Sequence, residues 1–249
     1  MRIKVVLVDV NPKLIAAWRH SFEENSEVEI LHGSMLDQQV SAWVSPTNAA
    51  GRMDGGLDLV IKNYLGNQIE HKLQAAIKST FNGAMPVGHA TCLPTGRPLP
   101  RFLISTPTMV GSSDDISDTL NVALACAAAF QAVHMQNARE PSIRSVALPG
   151  LGAATGRVPV EICADLMWTA YDLFRERQFS NFGEMRKALE AILGELDSSA
   201  SAKAKVAAGQ VAGAQGFGAP AADYDFDDAE DDDEDDEDED RDFDDTEDD

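Results

Sequence analysis

The chain has 249 residues, of which 44% are hydrophobic and 25% charged, and its 42 acidic against 20 basic residues give a formal charge of −22. Residues 223–249 hold 21 acidic residues and one arginine, so residues 1–222 are nearly neutral at −2. No stretch supplies the clustered basic patch that a nucleic-acid groove binder needs, which disfavours direct groove binding as the main function.

Cysteine and histidine usage argues against disulfide and metal chemistry. Cys92, Cys126 and Cys163 are too few and too far apart for a disulfide framework or a CxxC metal site, and the five histidines show no ligand spacing. The N-terminus enters an apolar strand without a leader, and no apolar run approaches the roughly 18 residues of a membrane span. We therefore expect a cytoplasmic protein with no membrane segment, no metal and no cofactor.

Short apolar strands alternate with helical patterns along the chain. Asn11 and Pro12 are well suited to cap and begin the first helix. The predicted elements, in chain order, are strand Ile3–Val8, a helix to about Glu24, strands Val28–Leu31 and Ala42–Val44, helix Leu57–Phe81, strands Val87–Cys92 and Phe102–Thr106, helix Ile116–Met135, strand Ser145–Leu148, and helices Val160–Arg177 and Glu184–Leu196.

This alternation predicts one α/β domain over residues 1–197, with three α/β/α layers and a mostly parallel mixed sheet covered by helices on both faces. Loops at the carboxyl ends of the strands are then the expected ligand site. From residue 198 the composition changes to Ala, Gly, Ser and Lys, and then to the acidic run. Residues 198–249 are predicted to be a disordered linker and acidic tail, because they bury too little apolar surface to offset their ordering entropy.

Two loops rich in small residues each join a strand to a helix. The first spans residues 45–58 (SPTNAAGRMDGGLD), and the second spans residues 149–159 (PGLGAATGRVP). Each exposes backbone N–H groups near a helix N-terminus, where an anion is favoured. Neither loop is a P-loop or a G-x-G-x-x-G motif. Either loop alone is also typical of an ordinary structural turn, but two of them at one sheet edge predict a pyrophosphate site.

The order and spacing of these segments resemble the macrodomain family, whose modules bind ADP-ribose and in many members hydrolyse its conjugates. Val44-Ser45-Pro46-Thr47-Asn48 is similar to the family's Val-Asn-Ala-Ala-Asn, and Asp54-Gly55-Gly56-Leu57-Asp58 to its Gly-Gly-Val-Asp. Phe102–Pro107 resembles the intervening strand and loop, and the second loop resembles the family's Ser-Thr-Gly turn. The resemblance covers residues 28–177.

The resemblance implies roles for individual residues. Asn48 would orient the distal ribose, and Asp58 would position or activate water as a catalytic residue. The ligand-binding residues implied are Ser34, Met35, Asp54, Gly55, Gly56, Thr106, Gly150, Leu151, Gly152, Ala153, Ala154, Thr155 and Gly156.

Structural roles remain open for the same residues. An acid such as Asp58 in the first turn of a helix is stabilised by the helix dipole alone, and Asn48 could simply satisfy loop amides. Lys62, one turn after Asp58, is expected to pair with it. Three hypotheses follow: a hydrolase of ADP-ribosylated protein, O-acyl-ADP-ribose or ADP-ribose phosphate, a non-catalytic ADP-ribose or nucleotide reader, and an interaction protein with purely structural loops.

This sequence departs from the family at the adenine end of the expected site. The family has Gly-Asp-Ile after its second strand, with the Asp recognising the adenine amino group, whereas here the match is Gly33-Ser34-Met35. Ser34, the adjacent backbone or Asp9 at a neighbouring strand end could replace that carboxylate. Phe179 or Phe182 could cover the adenine ring.

The acidic tail has three interpretations. It could act as a solvating segment, dock on a basic protein partner with help from Tyr224, Phe226 and Phe243, or shield the pocket. The last is least favoured, because a polyanion would repel a diphosphate ligand.

Overall fold

The computed structural model describes residues 3–194. The domain boundary predicted at residue 197, the acidic tail and the end of the last predicted helix lie outside the described residues and stay predictions. Within residues 3–194, every helix is too short or too polar to cross a membrane.

Six strands form a single sheet in the order β2-β1-β6-β3-β5-β4. Every neighbouring pair is parallel except β4 and β5, which are antiparallel at one edge. The predicted mostly parallel mixed sheet is therefore confirmed. The strands are β1 Lys4–Asp9, β2 Val28–His32, β3 Ala42–Ser45, β4 Thr91–Pro94, β5 Phe102–Ser105 and β6 Ser145–Leu148.

Helices cover both faces of this sheet, which confirms the three-layer α/β/α class. Alternate residues of β1 divide between the two layers, because successive side chains of a strand point to opposite faces. Val5 and Leu7 pack in the cluster that contains α1, α4, α5 and α6, whereas Val6 and Val8 pack with α2 and α3. The helices are α1 Pro12–Ser21, α2 Gly56–Leu65, α3 Gln68–Phe81, α4 Asn121–Arg139, α5 Val160–Glu176 and α6 over residues 182–194.

Helix α4 is buried on all sides over residues 122–133, and half of those residues are alanine. Small side chains let a helix approach its neighbours closely. Two hydrogen bonds tie α4 to the segment after β5: Thr106 Oγ1 donates to the Ala125 carbonyl at 3.1 Å, and Asn121 Nδ2 donates to the Thr108 carbonyl at 2.9 Å. The helix therefore supports the loop that leaves the sheet at this point.

Three element predictions need correction. The predicted helix over 57–81 is two helices, because α2 ends at Gly66, which adopts φ 97° and donates its N–H to the Lys62 carbonyl. Helix α4 begins at Asn121 rather than Ile116, since Ile116 is buried in the preceding loop and donates its N–H to the Gly156 carbonyl at 3.1 Å. Strand β4 begins at Thr91 rather than Val87, because a turn precedes it.

Candidate functional site

The carboxyl ends of the five parallel strands meet at one edge of the sheet, and the loops that leave them line a cleft of about 450 Å³. Adjacent strands are roughly 4.8 Å apart, so strand order fixes the order of the loops along the cleft. The segments at β2 and β1 lie at one end, the loop after β6 follows, and the loops after β3 and β5 lie at the other end. The two chain-distant loops of the sequence prediction therefore meet in one cleft.

Asn48 organises the loop after β3. Its Oδ1 accepts hydrogen bonds from the N–H groups of Ala50 and Arg52, both at 3.1 Å. Its Nδ2 donates to the Arg52 carbonyl at 3.4 Å and to Ser112 Oγ at 3.2 Å. All four hydrogen-bonding positions of the amide are thus used inside the protein. The role in loop structure is observed directly, and contact with a ribose would require the loss of one of these bonds.

Ser112 links the loop after β3 to the loop after β5. In addition to Asn48, its hydroxyl oxygen accepts a hydrogen bond from Arg52 Nη2 at 2.9 Å. The Arg52 side chain is half exposed and lies 3.8 Å from Asp54 Oδ2, which is also exposed. These contacts place one cation and one carboxylate at the mouth of the cleft.

The N-terminus of α2 opens into the cleft. Within residues 3–194, the N–H groups of Gly55, Gly56, Leu57 and Asp58 have no acceptor, and Gly55 provides no side-chain cap. Unpaired amides at the positive end of a helix dipole are suited to bind an anion.

The expected pairing of Lys62 with Asp58 is wrong. Lys62 Nζ instead donates to Glu70 Oε2 at 3.1 Å, and Glu70 Oε1 accepts the Met53 N–H at 2.7 Å. Glu70 on α3 therefore neutralises the lysine and fixes the last turn of the loop before α2, so Asp58 has no cationic partner there.

Asp58 lies on the first turn of α2 and is only 8% exposed. Its Oδ1 accepts a hydrogen bond of 2.5 Å from Ser45 Oγ. Burial raises the pKa of Asp58 to about 6; the hydrogen bond from Ser45 opposes the rise, and the charge of Asp54 adds to it. A carboxyl that titrates near neutral pH inside a cleft is suited to proton transfer.

The loop after β6 has amides free for a ligand. The N–H groups of residues 151–156 donate no hydrogen bond within the described part of the chain, whereas the Gly150 N–H donates to Asp9 Oδ2 at 3.1 Å. Gly152 adopts φ 76°, a left-handed conformation that favours glycine, and the loop curves around the cleft. Residues of this loop with unpaired main-chain N–H groups therefore line the same cleft as the N-terminus of α2.

Asp9 is the carboxylate at the opposite end of the cleft. Its Oδ1 accepts the Asn11 N–H at 2.9 Å and its Oδ2 accepts the Gly150 N–H, which leaves acceptor positions on both oxygens. Ser34 also lies here, and its hydroxyl oxygen accepts the Leu36 N–H at 3.1 Å. The exposed Val10 side chain provides an apolar surface beside these polar groups.

The structure brings most of the residues predicted for the site into the cleft, but not all. The lining residues include Ser34, Met35, Asn48, Asp54, Gly55, Gly56, Asp58, Gly150, Gly152, Ala154, Thr155 and Gly156.

Three expected ligand residues do not line the cleft. Thr106 is fully buried and donates its hydroxyl to the carbonyls of His89 and Ala125. Leu151 is fully buried in the core, and Ala153 packs against the same core. A ligand could therefore meet only the backbone of the latter two residues.

Neither aromatic residue suggested as an adenine cover lies at the cleft. Phe179 is buried in the core, and Phe182 packs its ring 5.2 Å from the ring of His89.

Arg52 and Ser112 are cleft residues absent from the sequence prediction, because they are joined to Asn48 only in the folded loops. Met109 also lines the cleft, and its carbonyl accepts the Ala49 N–H at 3.0 Å in a short parallel bridge. The sequence contains one indication of a role for Ser45, because it is a polar residue at the end of an otherwise apolar strand.

The family model described as Macro domain matches residues 44–167. These residues run from the end of β3 to the middle of α5, so the matched region contains the loops after β3 and β6. This chain belongs to the macrodomain family.

Relatives and solved structures resemble the chain over similar lengths. An uncharacterized protein of Aquifex aeolicus is 29% identical over 141 residues, which is 57% of this chain and 78% of the relative. The macrodomain of Mycobacterium tuberculosis DarG is 22% identical with a TM-score of 0.49, over 59% of this chain and 90% of that one. An Oceanobacillus iheyensis macrodomain with ADP is 17% identical with a TM-score of 0.48, over 66% and 90% of the two chains.

Proposed function

We propose that this chain binds ADP-ribose in the cleft and hydrolyses ADP-ribosyl conjugates, such as ADP-ribosylated protein, O-acyl-ADP-ribose or ADP-ribose phosphate. The observation that carries the proposal is the convergence of two rows of unpaired amides and one buried carboxyl in a single cleft. Membership of the macrodomain family, whose modules bind ADP-ribose, supports the ligand class.

The diphosphate binds between the N-terminus of α2 and the loop after β6. Donors from both sides carry partial positive charge, so a dianion is stabilised without a lysine or arginine directly beneath it. The neighbouring strands β6 and β3 carry these two loops, and their separation of roughly 5 Å matches the size of a diphosphate.

The order of the loops along the sheet assigns the rest of the ligand. The adenine lies against Val10 at the β1 and β2 end, where Asp9 accepts a hydrogen bond from the exocyclic amino group. The distal ribose lies at the β3 end, beside Asp58. Asp9 thereby supplies the carboxylate that the family's Asp provides at the position of Ser34.

Hydrolysis uses Asp58 as the catalytic residue. A water held by its Oδ2 forms a bond to the anomeric carbon of the distal ribose, or to the acyl carbon of an ester on that ribose, while the bond to the leaving group breaks. The water proton passes to Asp58, and the leaving group departs with the electron pair and takes a proton from solvent. A carboxyl with a pKa of about 6 is mainly ionised at pH 7 and is still basic enough to accept that proton.

A second candidate function is a non-catalytic ADP-ribose or nucleotide reader. This alternative is favoured by the hydrogen bonds of Asn48, whose side-chain amide has all four positions occupied inside the protein. The side chain then has no position left to orient the ribose.

Thermal shift and turnover separate the two candidates from each other and from a purely structural role. ADP-ribose at a hundredfold excess over Kd stabilises the folded protein by about 2.7 kcal/mol, or about 5–10 °C for a domain of this size. A hydrolase releases ADP-ribose from one of the three conjugates, and Asp58→Asn abolishes release while ADP-ribose binding persists. Glu161→Gln, at an exposed acid in the first turn of α5 that does not line the cleft, is the matched control.

Binding without turnover of any conjugate supports the reader. The absence of a thermal shift with ADP-ribose contradicts both candidates.

A basic protein partner for residues 223–249 is a separate proposal that rests on charge alone, since this segment carries −20. Binding of the full chain to a lysine-rich peptide, weakened by added salt, is the expected result. Replacement of the acidic residues by Ser and Gly should abolish it.

A further inference from the structure

Ser45 occupies a position where a polar side chain has no structural necessity. It is the last residue of β3 and is completely buried. Its carbonyl accepts the N–H groups of Thr47 and Thr106, both at 3.1 Å, so its backbone is held firmly from two sides. An apolar side chain would fill this interior position without the desolvation cost that a hydroxyl incurs.

The hydroxyl of Ser45 has one partner among residues 3–194, the Oδ1 atom of Asp58. The other carboxylate oxygen, Oδ2, accepts no hydrogen bond within this region and is not sealed from solvent. One oxygen of Asp58 is therefore anchored to the sheet, and the other opens into the cleft.

Among the residues that the structure describes, no nearby cation compensates the charge of Asp58. Lys62, the nearest lysine along α2, is engaged by Glu70 on α3, and Arg52 lies beside Asp54 and Ser112 at the mouth of the cleft. Asp54 itself is acidic and opposes the ionisation of Asp58. Beyond the dipole of α2, the Ser45 hydroxyl is thus the group that favours the charged carboxylate.

We propose that Ser45 is a positioning residue that keeps Asp58 ionised at neutral pH and directs its free oxygen to the reacting water. This inference rests on the proposed function of Asp58 for its catalytic meaning. The geometric part, a buried hydroxyl that controls the ionisation of Asp58, stands independently of any substrate.

The direct test is a carbon-13 NMR titration of the Asp58 carboxyl in the full chain without ligand, assigned by the loss of its signal in Asp58→Asn. Ser45→Ala should raise the pKa of Asp58 by about one to two units above its value of about 6, since a hydrogen bond to a charged group is lost. Ser45→Thr keeps the hydroxyl and should restore most of the original value. Ser45→Cys has a similar volume and a weak donor, so it serves if Ser45→Ala does not fold, and it should also raise the pKa.

The kinetic test uses whichever ADP-ribosyl conjugate the wild type hydrolyses. Ser45→Ala should move the acidic limb of the pH–rate profile to higher pH by the same amount and lower kcat at pH 7 about two- to tenfold, with KM little changed. Ser45→Thr should recover the profile.

An unchanged Asp58 titration in both Ser45→Ala and Ser45→Cys would overturn the inference, as would equal shifts in Ser45→Thr and Ser45→Ala. Because the NMR measurement needs no turnover, a wild type that lacks hydrolase activity contradicts the catalytic proposal and leaves the titration result to decide on Ser45.

Discussion

Replacement of Asp58 by Asn should stabilise the folded protein at neutral pH. In the unfolded chain this carboxyl has its ordinary pKa near 3.8, whereas in the folded protein burial raises its pKa to about 6. The folded state therefore binds more protons than the unfolded state between these values, and the free energy of unfolding falls as the pH rises through that interval. The buried carboxylate thus destabilises the protein at pH 7, a cost that an uncharged amide avoids.

The magnitude follows from the size of the pKa change. A rise of about two units corresponds to about 3 kcal/mol of differential stability, which is fully expressed above pH 7 and falls to about 0.5 kcal/mol at pH 4. For a domain of this length, about 3 kcal/mol raises Tm by about 6–12 °C.

Urea unfolding of the full chain at pH 7.5 and pH 4 provides the measurement. Asp58→Asn should be more stable than wild type at pH 7.5, and the difference should shrink to about 0.5 kcal/mol at pH 4, where Asp58 of the folded wild type is protonated. Asp54→Asn removes a charge from the same loop, but at an exposed side chain, and should change stability little at either pH. A gain of the same size at both pH values, or no gain at pH 7.5, would refute the reasoning.

Three further substitutions probe the cleft. Asn48→Ala leaves the partly buried N–H groups of Ala50 and Arg52 without their acceptor and should cost about 1–2 kcal/mol of stability, measured by urea unfolding. Gly156→Val places a Cβ 2.7 Å from a backbone oxygen of its own loop, so ADP-ribose binding measured by calorimetry should fall at least tenfold. Asp9→Asn should reduce the preference for ADP-ribose over its hypoxanthine analogue, because the Asp9 carboxylate accepts from the adenine amino group and repels the hypoxanthine carbonyl. Equal losses of affinity for both ligands would mean that Asp9 acts only through its hydrogen bond with Gly150.

Hydrophobic patterns located the sheet and most helices because burial on two faces leaves a clear signature in each strand. The patterns did not locate the break after α2, since apolar residues continue at helical spacing on both sides of Gly66 and the interruption depends on one backbone dihedral angle. The hydrophobic pattern also did not locate the first residue of α4. Ile116 is apolar and buried, and only its contact with the loop after β6 shows that it precedes the helix.

The approximate position of the site was predictable from strand ends and glycine-rich loops, whereas its internal connections were not. Gly55, Gly56 and Gly150 could be placed at the cleft because they lie in loops of small residues, which leave main-chain amides exposed. The inward rotation of Thr106 and the hydrogen bond of Asn48 to Ser112 depend on partners more than 15 residues away in sequence. No local pattern encodes such contacts.

The alanine-rich core of α4 makes the cleft sensitive to mutations outside it. Enlarging Ala125 to Leu in this tightly packed layer would force the helix away from the sheet. Its bonds with Thr106 and Thr108 would carry that displacement into the segment after β5, and so to Met109 and Ser112. A variant with no altered cleft residue would then lose ligand affinity because α4 has moved. Genetic screens for inactive forms should therefore recover substitutions along α4 as well as in the loops.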